Sequence, residues 1–363
     1  MELEQRAQAG DAAAQLALAA RHEADGVNEM ARGWMARAVR AGHPDALRLL
    51  AASLMVREPA NPDLGGEMMR SAALQGDAEA AFICAAIAGQ ADESDGRWLQ
   101  ALQFLAASAQ AGSAPAGELL ELLGARDPAQ HQVAAQHIIA GTRRAVEWQR
   151  QSPRIALCKG FASAAECHWM MARAQARLKP AEVYDPVTGQ GARHTGLRTN
   201  SDTAFDITQS DLALVILRAR IAAITGACVT DMEPAMVLHY TPGQYFAPHF
   251  DWLDPQSPGM ARDIAEKGQR RMTFLLYLND DYEGGETEFP DLGWRYRGQA
   301  GDALFFWNVD AAGQPDTMTR HAGTAPTRGQ KWVLSQWIRD PAPAQVWAAP
   351  PPANSAYMPR RTG

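Results

Sequence analysis

The sequence predicts two domains of different class: an α-helical repeat solenoid over residues 1–125 and, over 153–340, an antiparallel β domain of sandwich or barrel type with flanking helices. A helical connector (126–152) is expected between them and a Pro-rich tail (341–363) after them. Two observations carry this. Gly10, Gly42, Gly76 and Gly112 recur at intervals of 32, 34 and 36 residues, each followed four positions later by an alanine (Ala14, Ala46, Ala80, Ala116). At Ser152-Pro153 the Ala- and Leu-rich grammar gives way to short apolar runs separated by turn residues.

The four repeat segments, AGDAAAQLAL, AGHPDALRLL, QGDAEAAFIC and AGSAPAGELL, suit stacked helical hairpins. Glycine ends one helix in a left-handed cap, and the small residue after it lets the next helix approach closely. A period in the mid-thirties is that of tetratricopeptide-type arrays, and the A-x-x-G-x-x-x-A punctuation resembles the Sel-one-like class. Such arrays present a surface to another protein. After GARDPAQ, a further helical stretch to about Gln151 forms the connector. Residues 155–178 then read as strand, turn and amphipathic helix, 180–203 as a long mobile loop, and 210–224 as a second helix. AMVLHY, MTFLLYL, ALFFW and WVLSQWI follow as regularly spaced strands. The tail, DPAPAQVWAAPPPANSAYMPRRTG, is Pro-rich.

Composition bounds the function. The net charge is −7 and no basic stripe is present, which argues against a nucleic-acid partner. LALVIL at 212–217 stops at Arg218, too short to span a bilayer, and MELEQRAQAGD does not read as a signal peptide. Cys84, Cys158, Cys167 and Cys228 have neither C-x-x-C spacing nor scaffold density, so reduced thiols and a cytoplasmic location are expected.

The chemistry centres on YFAPHFDWLDP, where His249 and Asp251 stand two residues apart. On an extended strand, positions i and i+2 share a face, so both can point into a barrel mouth. A third ligand must come from elsewhere, among His168, His194, His239 and His321; His321, returning to the sheet after GDALFFW, is the best choice. Two histidines and a carboxylate leave positions open on an octahedral ion, the facial arrangement of non-haem Fe(II) oxygenases, though zinc takes similar ligands. Lys331 lies ten residues after His321, on a strand where Lys331, Val333, Ser335 and Trp337 share one face. A lysine facing an apolar interior requires an anion, and a dicarboxylate co-substrate would supply one. The alternative is a surface lysine on an edge strand.

With those residues in view, LHYTPGQYFAPHFDW, RRMTFLLYLNDDYEGGETEFP, GDALFFW and HAGTAPTRGQKWVLSQWIRD resemble successive blocks of the prolyl 4-hydroxylase catalytic domain, in order from about Ile155 to Arg339. That family is a branch of the 2-oxoglutarate- and Fe(II)-dependent dioxygenases with a double-stranded β-helix (jelly-roll) fold. The resemblance implies iron ligation by His249, Asp251 and His321. It implies that Lys331, aided by the hydroxyls of Tyr240 and Thr287, anchors 2-oxoglutarate, with O2 as second co-substrate and ascorbate as reductant. It places Arg270 near a peptide substrate, with Tyr245, Phe246 and Trp337 as further pocket wall. RTNSDTAF (198–205) resembles the R-T-S segment before the family's lid, with asparagine in place of serine. The expected reaction is hydroxylation of a C–H bond, on a prolyl residue of a protein or peptide recruited by the repeats. A free amino acid or small metabolite, or a repeat-based interaction protein with a silent oxygenase module, are the rival readings.

Overall fold

The computed structural model describes residues 2–57, 60–90, 96–184, 191–192 and 196–340. Contacts divide the chain into a helical unit, Met1–Ile139 with Asp206–Val215, and a sheet unit formed by Ala140–Phe205 and the residues from Ile216 onward.

In the helical unit the helices pack as successive hairpins: Ala12–Ala24 on Asn28–Arg40, Pro44–Val56 on Pro62–Leu74, and Ala78–Gln90 on Gly96–Gln110. The repeat punctuation has a hydrogen-bond basis. Gly10, Gly42, Gly76 and Gly112 have φ of 96°, 75°, 90° and 99°. Each donates its N–H three residues back, and the next residue donates five back, as in Val39 O from Gly42 and Ala38 O from His43. This is the Schellman closure, which satisfies the last carbonyls of the departing helix. At three of the four sites the residue after glycine then caps the incoming helix: Asp11, Asp77 and Ser113 accept from the N–H of Ala14, Ala80 and Ala116. Those alanines and Ala46 are at most 2% exposed, because the helices approach too closely there for a larger side chain. The expected repeat solenoid is therefore present, with the mechanism inferred for it.

The sheet unit stacks an eight-stranded antiparallel sheet on a four-stranded one. The large sheet runs Glu147–Gln151, Arg154–Cys158, Ala303–Trp307, Arg270–Tyr277, Lys331–Arg339, Ala235–Tyr240, Ser201–Phe205, Lys179–Pro180. The small sheet runs Trp294–Tyr296, Thr287–Phe289, His321–Gly323, Phe246–His249. Ile155, Leu157, Tyr277, Leu304, Phe306 and Val333 of the large sheet pack on Phe289 of the small one, forming a dry core. The helices Ala164–Gln175 and Leu212–Thr225 match the two expected helices, and the two-sheet arrangement is the expected jelly roll.

Two expectations change. Helix does not extend through the connector: it ends at Ala140, and Glu147–Gln151 is a strand paired with Arg154–Cys158, so Ser152-Pro153 marks a hairpin turn. Within the expected loop, Ser201–Phe205 joins the large sheet against Ala235–Tyr240, because Asp202, Thr203 and Phe205 find burial there. Residues 185–190 and 193–195 of the expected loop, His194 among them, and the Pro-rich tail lie outside the described residues. Among the described residues, no helix is long and apolar enough to cross a membrane.

Candidate active site

The small sheet brings the two histidines together. Phe246–His249 pairs antiparallel with His321–Gly323 so that His249 and His321 stand directly opposite, with ring centroids 4.3 Å apart. Asp251 reaches them differently from the strand-pleat expectation. The strand ends at His249 and the chain bends, so the bend, rather than strand alternation, turns Asp251 back toward the histidines. His249 Nε2 lies 3.6 Å from Asp251 Oδ1, and His321 Nε2 lies 3.4 Å from Asp251 Oδ2. All three donor atoms fall within 4.8 Å of one another.

Both rings are oriented as ligands. His249 Nδ1 lies 2.8 Å from Ala247 O, and His321 Nδ1 lies 3.1 Å from Thr319 O. A carbonyl only accepts, so each Nδ1 carries the proton and each Nε2 presents its lone pair to the shared centre. Burial, with the neighbouring His249 ring, pushes His321 down to about 4, which keeps it neutral. Burial opposes the charge of Asp251, while the hydrogen bond donated by the Thr273 hydroxyl favours it. Thr273 Oγ1 donates to Asp251 Oδ2 at 2.7 Å and accepts from Asn308 Nδ2 at 2.9 Å. Phe246 stacks on His249 at 3.5 Å, and Arg198 lies over the far face of Phe246 at 4.7 Å.

The cluster opens into a solvent-connected cleft. Lys331 enters from the large sheet beside its register partner Tyr240. It is 2% exposed, and its Nζ lies 5.2 Å and 5.8 Å from the Tyr240 and Tyr277 rings. Among the described residues it makes no ion pair, and burial, opposed by Glu286, pushes its pKa down to about 7. The Tyr240 hydroxyl, raised to about 12 by burial, is a donor at any physiological pH. Thr287 lines the same cleft and shares a 2.8 Å hydrogen bond with the Tyr277 hydroxyl. At the other end Trp337 lines the cleft, and Arg270 stacks over its ring at 3.5 Å while forming a bidentate pair with Glu233 at 2.6 and 2.9 Å. Tyr245 does not line the cleft; its hydroxyl lies 3.5 Å from Gly196 O and its backbone pairs with Thr199.

The profile of the 2OG-Fe(II) oxygenase superfamily matches residues 235–339, the span that holds this cluster. Prolyl 4-hydroxylase 1 of Arabidopsis thaliana is 33% identical over 213 residues, which cover 54% of this chain and 71% of the relative. The chain belongs to the prolyl 4-hydroxylase family. The rat prolyl 4-hydroxylase subunit alpha-1 is 32% identical over 203 residues, 56% of this chain and 37% of that subunit. The chain thus spans little more than a third of some prolyl 4-hydroxylases it resembles. A viral collagen prolyl hydroxylase from Paramecium bursaria Chlorella virus-1, solved with 2OG, is 26% identical with a TM-score of 0.40, covering 51% of this chain and 95% of that one.

Within the prolyl 4-hydroxylase family frame, the structure gathers His249, Asp251, His321, Tyr240, Thr287, Lys331, Phe246 and Trp337 around one cleft. Of the histidines set aside, His168 is exposed, and His239 faces away, its Nε2 2.9 Å from Gln330 Oε1 and its ring on Trp332. Sequence reasoning missed Thr273 and Asn308, which hold Asp251 from strand positions with no motif of their own. It also left Arg198 unassigned, although the RTN segment was visible.

Proposed function

We propose that this chain is an Fe(II)- and 2-oxoglutarate-dependent prolyl hydroxylase acting on a protein or peptide. The observation that carries it is the pairing, in one cleft, of a His/Asp/His donor set with a buried lysine that makes no ion pair among the described residues. The donor set fits a divalent ion. At metal–ligand distances of about 2.1 Å, donors at right angles stand ~3.0 Å apart, and the observed 3.4 and 3.6 Å need only a small contraction. The chemistry of the donors, two imidazoles and one carboxylate, suits Fe(II) with open positions.

When bound, Fe(II) with 2-oxoglutarate supplies activation of O2 for C–H hydroxylation. The protein's residues do the rest. His249 and His321 offer Nε2 lone pairs fixed by their carbonyl-bound Nδ1 protons, and Thr273 fixes the rotamer of Asp251. Lys331 pairs the distal carboxylate of the co-substrate, with the Tyr240 and Thr287 hydroxyls beside it. Leu275, Val333 and Phe246 line the cleft with apolar surface. Trp337, which lines the cleft with Arg270 stacked on its ring, is proposed as substrate-contacting wall. Ascorbate, serving as reductant between turnovers, belongs to the same reading.

The prolyl substrate is supported by the names of the relatives. The helical unit exposes Met30, Leu49, Leu64 and Leu74, and recruitment of the substrate by it is the finer part of the proposal. The test is aerobic incubation with Fe(II), 2-oxoglutarate and an oligoproline peptide. The expected result is peptide-dependent succinate release with a gain of one oxygen on proline, lost in His249→Ala and Asp251→Ala. Succinate release unchanged in those variants would overturn the assignment.

A further inference from the structure

The strand that carries Lys331 leaves the fold at the cleft's other end. Lys331, Val333, Ser335 and Trp337 line the cleft in alternation, and the last described residue, Asp340, lies three positions beyond Trp337. At ~3.4 Å per residue the chain exits about 10 Å from Trp337. Trp337 pairs in register with Thr273, whose hydroxyl bonds Asp251. The exit is therefore one strand away from the carboxylate of the donor set. Beyond it the sequence reads PAPAQVWAAPPPANSAYMPRRTG, 23 residues with six prolines, three of them consecutive at 350–352.

We propose that this segment is a substrate of its own chain, with the Pro350–Pro352 run entering the cleft in cis and being hydroxylated there. The proposal rests on the reading of the site as a prolyl hydroxylase. Tether length selects the residues. Pro341 and Pro343 follow Asp340 by one and three positions, a reach of at most ~3.6 and ~11 Å, and they would have to double back past Trp337. Pro350 follows by ten positions, with a reach of up to ~35 Å. A short tether gives an effective concentration on the order of mM, with no new contact required.

The chemistry of the cleft suits a proline run. Trp337, which lines the cleft, has a buried Nε1 donor with no partner among the described residues. Proline carries a carbonyl acceptor and no N–H, so the run can accept from the cleft without burying an unsatisfied donor. Consecutive prolines in general favour the narrow polyproline II conformation, which lowers the ordering entropy of entering a groove. The small flanks Ala348, Ala349 and Ala353 add little bulk, whereas Pro359 is flanked by Met358 and Arg360. In the reaction a prolyl C–H bond breaks and C–O and O–H bonds form from one atom of O2. The other atom passes to 2-oxoglutarate, which loses CO2 and leaves as succinate. C–H oxidation and oxidative decarboxylation each supply half the electrons that reduce O2.

The test uses the full chain with Fe(II), 2-oxoglutarate and air, in the presence of an oligoproline peptide, followed by peptide mass mapping. The expected result is one added oxygen within 350–352, none at Pro341 or Pro343, and a first-order rate unchanged over about a tenfold range of protein concentration. Hydroxylated oligoproline with an unmodified tail would overturn self-hydroxylation while leaving the proposed function intact. If neither gains oxygen, both fall, and a rate proportional to protein concentration would overturn the cis route. A second readout needs no turnover. In the Mn(II)-loaded full chain without 2-oxoglutarate, Pro350→Ala, Pro351→Ala and Pro352→Ala together should tighten oligoproline binding at least about threefold, because the cis competitor is removed. Equal affinity in variant and parent would refute occupancy of the cleft by the tail.

Discussion

If Lys331 anchors a dicarboxylate, co-substrate affinity must depend on pH in a defined direction. In the ligand-free chain burial brings the Lys331 pKa to about 7. A bound carboxylate stabilises the ammonium and raises that pKa, so binding takes up a proton above neutrality. Affinity is then fully expressed below the free pKa and lost as pH rises above it. Between about pH 6 and pH 8 the charged fraction falls roughly tenfold, which weakens binding by about 1.4 kcal/mol. Calorimetric titration of 2-oxoglutarate into anaerobic, Fe(II)-saturated chain, in two buffers of different ionisation heat, reads both the slope and the proton uptake. Lys331→Met should weaken binding at about pH 6 by roughly 2–5 kcal/mol, the range for truncating one partner of a buried charge pair, and flatten the profile. A tenfold slope that survives in Lys331→Met, or pH-independent affinity without proton uptake in the parent, would refute the reasoning.

The same burial makes Lys331 a stability liability without ligand: its folded-state pKa lies below 10.5, so the charged form is penalised below about pH 7 and the penalty fades as pH rises toward 10.5. Lys331→Met should therefore raise the Tm of the ligand-free chain at about pH 6, by calorimetry. Thr273→Val keeps shape but removes the donor to Asp251 and the acceptor for Asn308; metal affinity should fall roughly 10- to 100-fold in competition with a chelator dye. Gly298→Ala would place a Cβ 2.3 Å from Cδ2 of the fully buried Tyr277. A loss of about 1–3 kcal/mol by urea unfolding is expected, together with weaker 2-oxoglutarate binding through the displaced Tyr277–Thr287 pair.

Part of the site was legible because its signals are local. His249 and Asp251 stand two positions apart, and Lys331 follows His321 by ten residues on an alternating strand whose periodicity fixes its face. The supporting residues were not legible. Thr273 and Asn308 lie 22 and 57 positions from Asp251, on different segments, and each looks like any polar residue near an apolar run. Tyr245 shows the opposite failure: nearness to His249 suggested the cleft wall, but the pairing of its backbone with Thr199 turns it toward the 196–199 segment. The bidentate partner of Arg270, Glu233, 37 residues earlier, could not be read from spacing.

The sequence by itself determined the class of each half. Helix capping and strand alternation are short-range physics, so Gly42 at the end of a helix, or Lys331, Val333, Ser335 and Trp337 on one face, follow from a few residues. Only the tertiary structure decided what those faces meet. Register across the small sheet sets His249 opposite His321, the bend after His249 delivers Asp251, and the fold buries Lys331 beside the Tyr240 and Tyr277 rings. Sheet register and desolvation are properties of the assembled fold, set by long-range packing that no window of sequence contains.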